Sequence, residues 1–465
     1  MHYKDIIKTY KHHYNPTLSL LFEVAECPVE YTGKGCRLFD EQGNSYLDFC
    51  SAYGALGIGY QNERVQEAVM KQLDTMASAP YFLYNSTAAG FMNKLAGILP
   101  GDLNRIVLTG SASEAMEIAI RTVRLARPQR KGIVSAINSY HGKTLGALSV
   151  LGQDHLRKPF GSLLNNVNYV PYGNIDAIVR AIGKGVLAVI LEPILGGGFI
   201  ETPPPGYLTQ VRELCHRTGT LLVVDEVQTG FGRTGKMFAI EHEQVHPDII
   251  ILSKGTTGGH TPMAAMVMTD SLAHDIGYAF EDDPFQFGTD NTTYPLICAA
   301  ASAAIDVIME ENLPQNAAVT GTYMIGKLKE IAALYPHFIH DVPGCALMAG
   351  IKLRNCLLEN AVWLQLLKRN VIGGLSTNTH TKRPIMRWFP PLIVTKEEVD
   401  IASQALYESL EELDRMPSLV YDLANQVQAY QYYLPKPFLK FGSGLLKNPP
   451  LMRFRKSKKK APAVS

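Results

Sequence analysis

Residues 221–255 read LLVVDEVQTGFGRTGKMFAIEHEQVHPDIIILSKG. Two apolar, β-branched runs, LLVV and DIIIL, each have the character of a buried strand. The first ends on an acid, Asp225. The second leads to a lysine, Lys254, in a stretch of small residues that runs to Gly258 and Gly259. Taken singly, either charge would suit a strand end facing solvent, since charged side chains are rarely buried without partners. Taken together, an acid and an amine at neighbouring strand ends suit a pyridoxal phosphate (PLP) Schiff base with a carboxylate on the pyridine nitrogen.

Working outward, helical periods near residues 88–98 and 113–125 alternate with the apolar runs NRIVL, GIVSAI, VLAVIL, TLLVVD, DIIIL and AAMVM. That alternation predicts a mostly parallel sheet with crossover helices, an α/β fold. Residues 1–75 contain strand-like pieces, RLFD and SYLDF, then an amphipathic helix over about residues 63–76. A helix-rich segment with a few strands, CALMAGIKL among them, runs to about residue 415. A chain of 465 residues exceeds a typical single core. The expected division is a large PLP-binding domain over residues 76–311, with a small α+β domain built from residues 1–75 and 312–415. Residues 416–465 form a basic extension: no acid follows Asp422, and the chain passes through LMRFRKSKKK. Such a segment suits a solvated tail or a contact with a membrane surface or an acidic protein.

The bulk numbers narrow the function. A net charge of +1 gives no global field for nucleic acid. Seven cysteines without a CxxC pair argue against a structural zinc site and a secreted disulfide framework, so a cytoplasmic home and no metal are expected. No run of about 18 apolar residues suggests a membrane span. No GxGxxG follows a strand, and there is no P-loop.

Over about residues 20–412 the chain resembles the class III (ω-) aminotransferases, PLP enzymes of fold type I, and within them the putrescine and acetylornithine aminotransferase group. The segments that carry the likeness include GKGCRLFDEQGNSYLDF, NSYHGKTLGALSVLG, KPFGSLL, VPYGNID, LEPILGGG, PPPGYL, DEVQTGFGRTGKMFA, PDIIILSKG and MRWFPPL. The resemblance implies a seven-stranded-type sheet, a homodimer with shared active sites, and transfer of an amino group from an amine or ω-amino acid to a 2-oxo acid through pyridoxamine phosphate. It assigns the Schiff base to Lys254 and the ring-nitrogen acid to Asp225. Val227 and Tyr140 fall on the two ring faces, Gln228 at the ring's 3′ oxygen, and His141 and Glu192 among the cofactor contacts. The phosphate falls to Ser111, Ala112 and Ser113 at a helix start. Arg387 matches a clamp for a substrate carboxylate, whose planar fork suits that task. Tyr53 and Phe82 fall in segments lining the substrate entrance.

The chain departs from the family's pattern in several places. Gly197 stands where relatives carry a glutamate that switches the clamp arginine off. Asp290 stands where a threonine reaches the partner's cofactor phosphate, with Thr289, Thr292 and Thr293 as nearby replacements. Ala112 replaces a glycine, and GYQNE at residues 59–63 replaces a GHxHP-like turn. The same Schiff base also serves racemases, aminomutases and decarboxylases. A non-catalytic descendant would need neither Asp225 nor Lys254, and both are present.

Overall fold

A computed structural model describes residues 2–80, 83–183, 185–277, 294–376 and 383–416. Phe82, Thr289, Asp290, Thr292, Thr293 and residues 417–465 of the basic extension lie outside them. The described chain opens on two helices, Tyr3–His13 and Pro16–Ala25, which the strand-like reading of residues 1–75 does not anticipate. The first helix has apolar residues at helical spacing, Tyr3, Ile6, Ile7 and Tyr10, although only Ile7 is buried. The second starts where Asn15 accepts the Leu18 N–H at 3.0 Å and Pro16 takes the first turn.

Three short antiparallel strands follow: β1 (Tyr31–Lys34), β2 (Arg37–Asp40) and β3 (Ser45–Asp48). From the far end of the chain, Val371–Ile372 joins β3 in parallel, with Val371 opposite Leu47. Segments from before and after the central sheet therefore share one sheet.

The central sheet has seven strands. They are β4 (Leu103–Thr109), β5 (Gly132–Ala136), β6 (Val167–Val170), β7 (Val186–Leu191), β8 (Leu221–Asp225), β9 (Ile249–Leu252) and β10 (Ala264–Thr269), in the order β4-β10-β9-β8-β7-β5-β6. All run parallel except β10, which is antiparallel to both neighbours. Every residue of β7, β8, β9 and β10 is buried. Alternate side chains enter different cores. Leu222, Val224, Ile250 and Leu252 join one, and Leu221, Val223, Ile249 and Ile251 join the other. Helix Ala112–Ala126 fills the second core, while helices Tyr207–Thr218 and Pro295–Glu310 fill the first. Each fully buried Val, Leu or Ile is worth about 1.5–3 kcal/mol, which explains why these runs read so clearly as strands. The edge strand β6 escapes a sequence reading because just one of its four residues is buried.

Val371–Ile372, the strand paired with β3, is β14; a third sheet sets β11 (Ile339–Asp341), β12 (Gly344–Cys345) and β15 (Ile385–Trp388) against β13 (Met348–Leu353), with Arg387 opposite Gly350. Arg233, in the GFGRTG turn after β8, ties these parts together. Its side chain is buried, and its two terminal nitrogens donate to the carbonyls of Leu347, Pro390 and Gly54. A guanidinium stays charged in proteins, and among the described residues carbonyl dipoles, with no acid beside them, offset this charge. Among the described residues, no helix is long and apolar enough to cross a membrane.

Arg233→Ala leaves three carbonyls without their donor, and a buried polar group left unsatisfied costs about 1–3 kcal/mol. The expected outcome is a lower urea midpoint with an unchanged slope. A midpoint equal to the parent's would show that water replaces the guanidinium.

Candidate active site

The sheet order brings five chain segments to one edge. The strands β4, β5, β7, β8 and β9 all point the same way, and beyond their carboxyl ends lie Ser111–Ser113, Tyr140–His141, Glu192–Gly197, Asp225–Gln228 and Lys254. In open α/β sheets this is the edge at which ligands bind. Asp225 pairs with Ile251 in the β8–β9 register, so Lys254 lies three residues past the acid's neighbour.

Asp225 is buried and braced from two sides. Its Oδ2 lies 2.8 Å from His141 Nδ1, and its Oδ1 accepts the Val227 N–H at 3.0 Å. Burial alone disfavours a charged imidazole, but the hydrogen bond and charge of Asp225 outweigh it and raise the His141 pKa. His141 therefore stands behind the acid, and its Nε2 has no partner among the described residues.

Lys254 is half-buried and sits at φ +40°, a left-handed conformation that side chains rarely adopt. With its amide turned so that both ends are satisfied, Gln228 accepts from Lys254 Nζ at 2.6 Å and donates to Gly196 O at 2.9 Å. Burial pulls the Lys254 amine down to about 7; the Arg387 charge adds to this, while Asp225 and Glu192 oppose it. A strained backbone and a readily neutral amine are features of functional positions.

Glu192 acts on backbone. Its carboxylate accepts the N–H groups of Tyr140 at 2.8 Å and Gly196 at 3.0 Å, which joins the loop after β5 to the loop after β7. Burial lifts its carboxyl to about 7, against the pull of His141. The joined loops leave no room at position 197. A Cβ there would lie 2.1 Å from Tyr140 Cβ. Tyr140 itself keeps an exposed face over the cleft, and Val227 is half-buried.

The helix start at Ala112 carries a capping box. Ser111 Oγ accepts the Glu114 N–H at 3.3 Å, and Glu114 Oε2 accepts the N–H groups of Gly110 and Ser111 at 2.9 and 3.2 Å. The sequence reading gives Ser111, Ala112 and Ser113 alike to a phosphate. In the structure Glu114 engages both polar groups of Ser111, leaving the Ala112 and Ser113 N–H groups at the open first turn. Ser113 Oγ accepts the Lys143 N–H at 3.4 Å.

Arg387 forms the opposite wall, on β15. It is 4% exposed. Its Cζ lies 4.0 Å from the Tyr53 ring centroid, and its Nη2 donates to Leu375 O at 3.0 Å. Its Nε is buried without an acceptor among the described residues. Tyr53 belongs to a left-handed turn, with φ of 40°, 51° and 57° at Ser51, Ala52 and Tyr53. Asp48 holds that turn by accepting from Cys50 N, Ser51 N and Tyr60 Oη at 2.8, 2.9 and 2.6 Å. Sequence reasoning passes over Asp48, although it stands in the quoted SYLDF. It also passes over Glu359, buried beside Leu375–Ser376. The signal for Glu359 is an acid inside the apolar helix CLLENAVWLQLLK.

A half-buried amine, a braced acid and an arginine with an unpaired donor form a set that fits PLP and a carboxylate-bearing substrate. Solved structures with this architecture point the same way. The chain is 27% identical to the ornithine aminotransferase of Toxoplasma gondii, which has PLP at partial occupancy in its active site (82% of this chain, 90% of that one, TM-score 0.76). It is 25% identical to a thermostable (S)-enantioselective ω-transaminase of Thermomicrobium roseum (88% and 99%, TM-score 0.80). It is 29% identical to a transaminase of the marine bacterium Virgibacillus (81% and 91%, TM-score 0.76). The fold is that of the PLP-dependent transaminases of fold type I. The model of the class III aminotransferases matches residues 24–410, and the chain belongs to that family. It is a PLP-dependent enzyme that moves amino groups between amine and oxo-acid substrates.

Two outcomes follow from this geometry. Gly197→Glu, which restores the residue of the family pattern, must push Tyr140 aside; overpacking of this kind costs about 1–3 kcal/mol. The expected result is a lower melting temperature and faster PLP loss on dialysis, and parental retention would show that the loop yields. An amine must be neutral to condense with an aldehyde, so if Lys254 carries the cofactor its protonation sets the rate of uptake. With its amine at about 7, the rate of PLP uptake by the apoprotein should rise about tenfold per pH unit below that value and level off above it. Stopped-flow absorbance reads this, and a rate still climbing at pH 9 would contradict it.

Proposed function

We propose that the enzyme takes an amino group from an amine or ω-amino acid and delivers it to a 2-oxo acid at a single site, with Lys254 and Asp225 at its centre. The observation that carries this reading is the placement of Lys254 and Asp225 at adjoining strand ends, across from a buried Arg387 whose Nε has no acceptor among the described residues. Bound PLP supplies an aldehyde that condenses reversibly with primary amines and a ring that takes up the electron pair freed at the substrate carbon.

The chain's own groups do the rest. Lys254, its amine brought down to about 7 by burial, holds the cofactor and, once displaced by substrate, moves a proton to and from the substrate carbon. Asp225, kept in place by His141 and Val227 N–H, holds a proton on the ring nitrogen. Tyr140 and Val227 confine the ring between them, and Gln228 sets the position of its oxygen edge and of the lysine. The Ala112 and Ser113 amides, which have no acceptor among the described residues and lie at the positive end of a helix, take the phosphate. Arg387 takes the carboxylate of the oxo acid, which satisfies a buried donor whose vacancy costs about 1–3 kcal/mol. A homodimer fits the same reading. Met70, Leu73 and Met76 expose an apolar strip on and just beyond helix Glu63–Thr75 that a second copy would cover.

The test is a panel of diamines, ω-amino acids and long-chain amines against pyruvate and 2-oxoglutarate. Amino transfer to at least one acceptor is expected. Lys254→Ala should lower it by a factor on the order of 10³ or more and abolish the cofactor's protein-bound absorbance band. Arg387→Lys should raise the KM for the oxo acid about tenfold, because a single ammonium replaces a two-pronged fork. Racemisation of a substrate with no transfer to either acceptor would sink the proposal.

A further inference from the structure

Arg387 has no carboxylate within ion-pair distance among the described residues, and position 197 admits no side chain without moving Tyr140. A buried acid nonetheless reaches the arginine through one peptide unit. The carbonyl of Leu375 accepts from Arg387 Nη2 at 3.0 Å and from Tyr53 Oη at 3.2 Å. The N–H on the other side of that same peptide, from Ser376, donates to Glu359 Oε1 at 2.6 Å. The guanidinium draws electron density toward the oxygen and the carboxylate draws on the proton, so both polarise the amide in one direction, and each bond strengthens the other.

Glu359 is 3% exposed, in the first turn of helix Cys356–Lys368, where a negative charge is favoured. Burial lifts its carboxyl to about 7, and the Ser376 N–H and the Arg387 charge pull it down. The peptide is fixed in place as well: Gly374, just before it, exchanges both backbone hydrogen bonds with Arg387, at 2.7 and 2.9 Å.

We propose that Glu359, acting through the Leu375–Ser376 peptide, is the counter-charge that lets Arg387 receive substrate ends with or without a carboxylate, in place of a glutamate at position 197. The inference rests on the aminotransferase reading of the site. When a 2-oxo acid binds, its carboxylate takes the unpaired Nε and draws Nη2 away from Leu375 O, which keeps its bond from Tyr53. When a carboxylate-free amine binds, Arg387 stays on Leu375 O under the Tyr53 ring and Glu359 offsets its charge. Glu359 touches no substrate in either case. It is a positioning residue that sets the balance between two substrate classes.

The test uses the PLP-loaded enzyme at pH 8.5, where Glu359 is ionised. Glu359→Gln keeps an acceptor for Ser376 N–H and removes the charge. The probes are glutarate, an unreactive dicarboxylate, titrated by calorimetry, and n-butylamine and 2-oxoglutarate in steady-state kinetics. Glutarate should bind about threefold to tenfold more tightly in the variant, and the KM for butylamine should rise by a similar factor, as expected for losing one charge at several ångströms in a partly screened site. The kcat should stay within about twofold. Unchanged constants, or weaker binding of both probes, would overturn the proposal. Glu359→Met, neutral and of similar volume, gives the same reading if the Gln variant does not fold. Arg387→Met separates the two levels. If it leaves glutarate binding intact, the carboxylate clamp of the proposed function is wrong. If it abolishes binding while Glu359→Gln changes nothing, only the role of Glu359 falls.

Discussion

The register between two fully buried parallel strands fixes the chemistry of this enzyme. A slip of one residue between β8 and β9 would send Leu222 and Val224, or Ile250 and Leu252, to the wrong core, at the cost of several buried side chains. Core packing thus sets where Asp225 ends its strand and where Lys254 begins its turn. The active site inherits its precision from residues that never meet a ligand. The single antiparallel strand, β10, comes after both groups in the chain and does not disturb the edge on which they meet.

Charge inside the molecule is handled mainly by backbone. Arg233 rests on three carbonyls, Glu192 on two N–H groups, and Asp48 on two N–H groups and a phenol. Arg387 and Glu359 divide one peptide between them. Among the described residues, only His141 and Asp225 meet directly at the site. A peptide dipole is held rigidly by the fold, so these charges are offset without mobile partners, while Arg387 Nε keeps no acceptor among the described residues.

How much of this can be read from sequence depends on how local the cause is. β7, β8, β9 and β10 are continuous apolar runs, so their existence and burial follow from composition over a few residues. The acid and the amine follow too, because each ends such a run. The first N-terminal helix does not: its period, Tyr3, Ile6, Ile7 and Tyr10, is short and mixed with charged residues, and only Ile7 of it is buried. Nor does the division of labour at Ser111, where Glu114, three residues on, decides which N–H groups stay free. The setting of Arg387 is set by Tyr53, Leu375 and Glu359, which come from three separate parts of the chain. No window of sequence contains that arrangement, although the buried acid in an apolar helix announces that some partner exists.

The tight approach of Gly197 to Tyr140 has a consequence for anyone redesigning this catalyst. One wall of the cleft is bare main chain, pressed against the base of an aromatic ring, and it offers no side chain to exchange. The facing wall, from Tyr53 to Leu375 and Arg387, is assembled from side chains on a strained turn and a short strand. A side chain introduced at Gly197 therefore displaces Tyr140 at a cost in stability, whereas the Tyr53 side already carries side chains that can be exchanged.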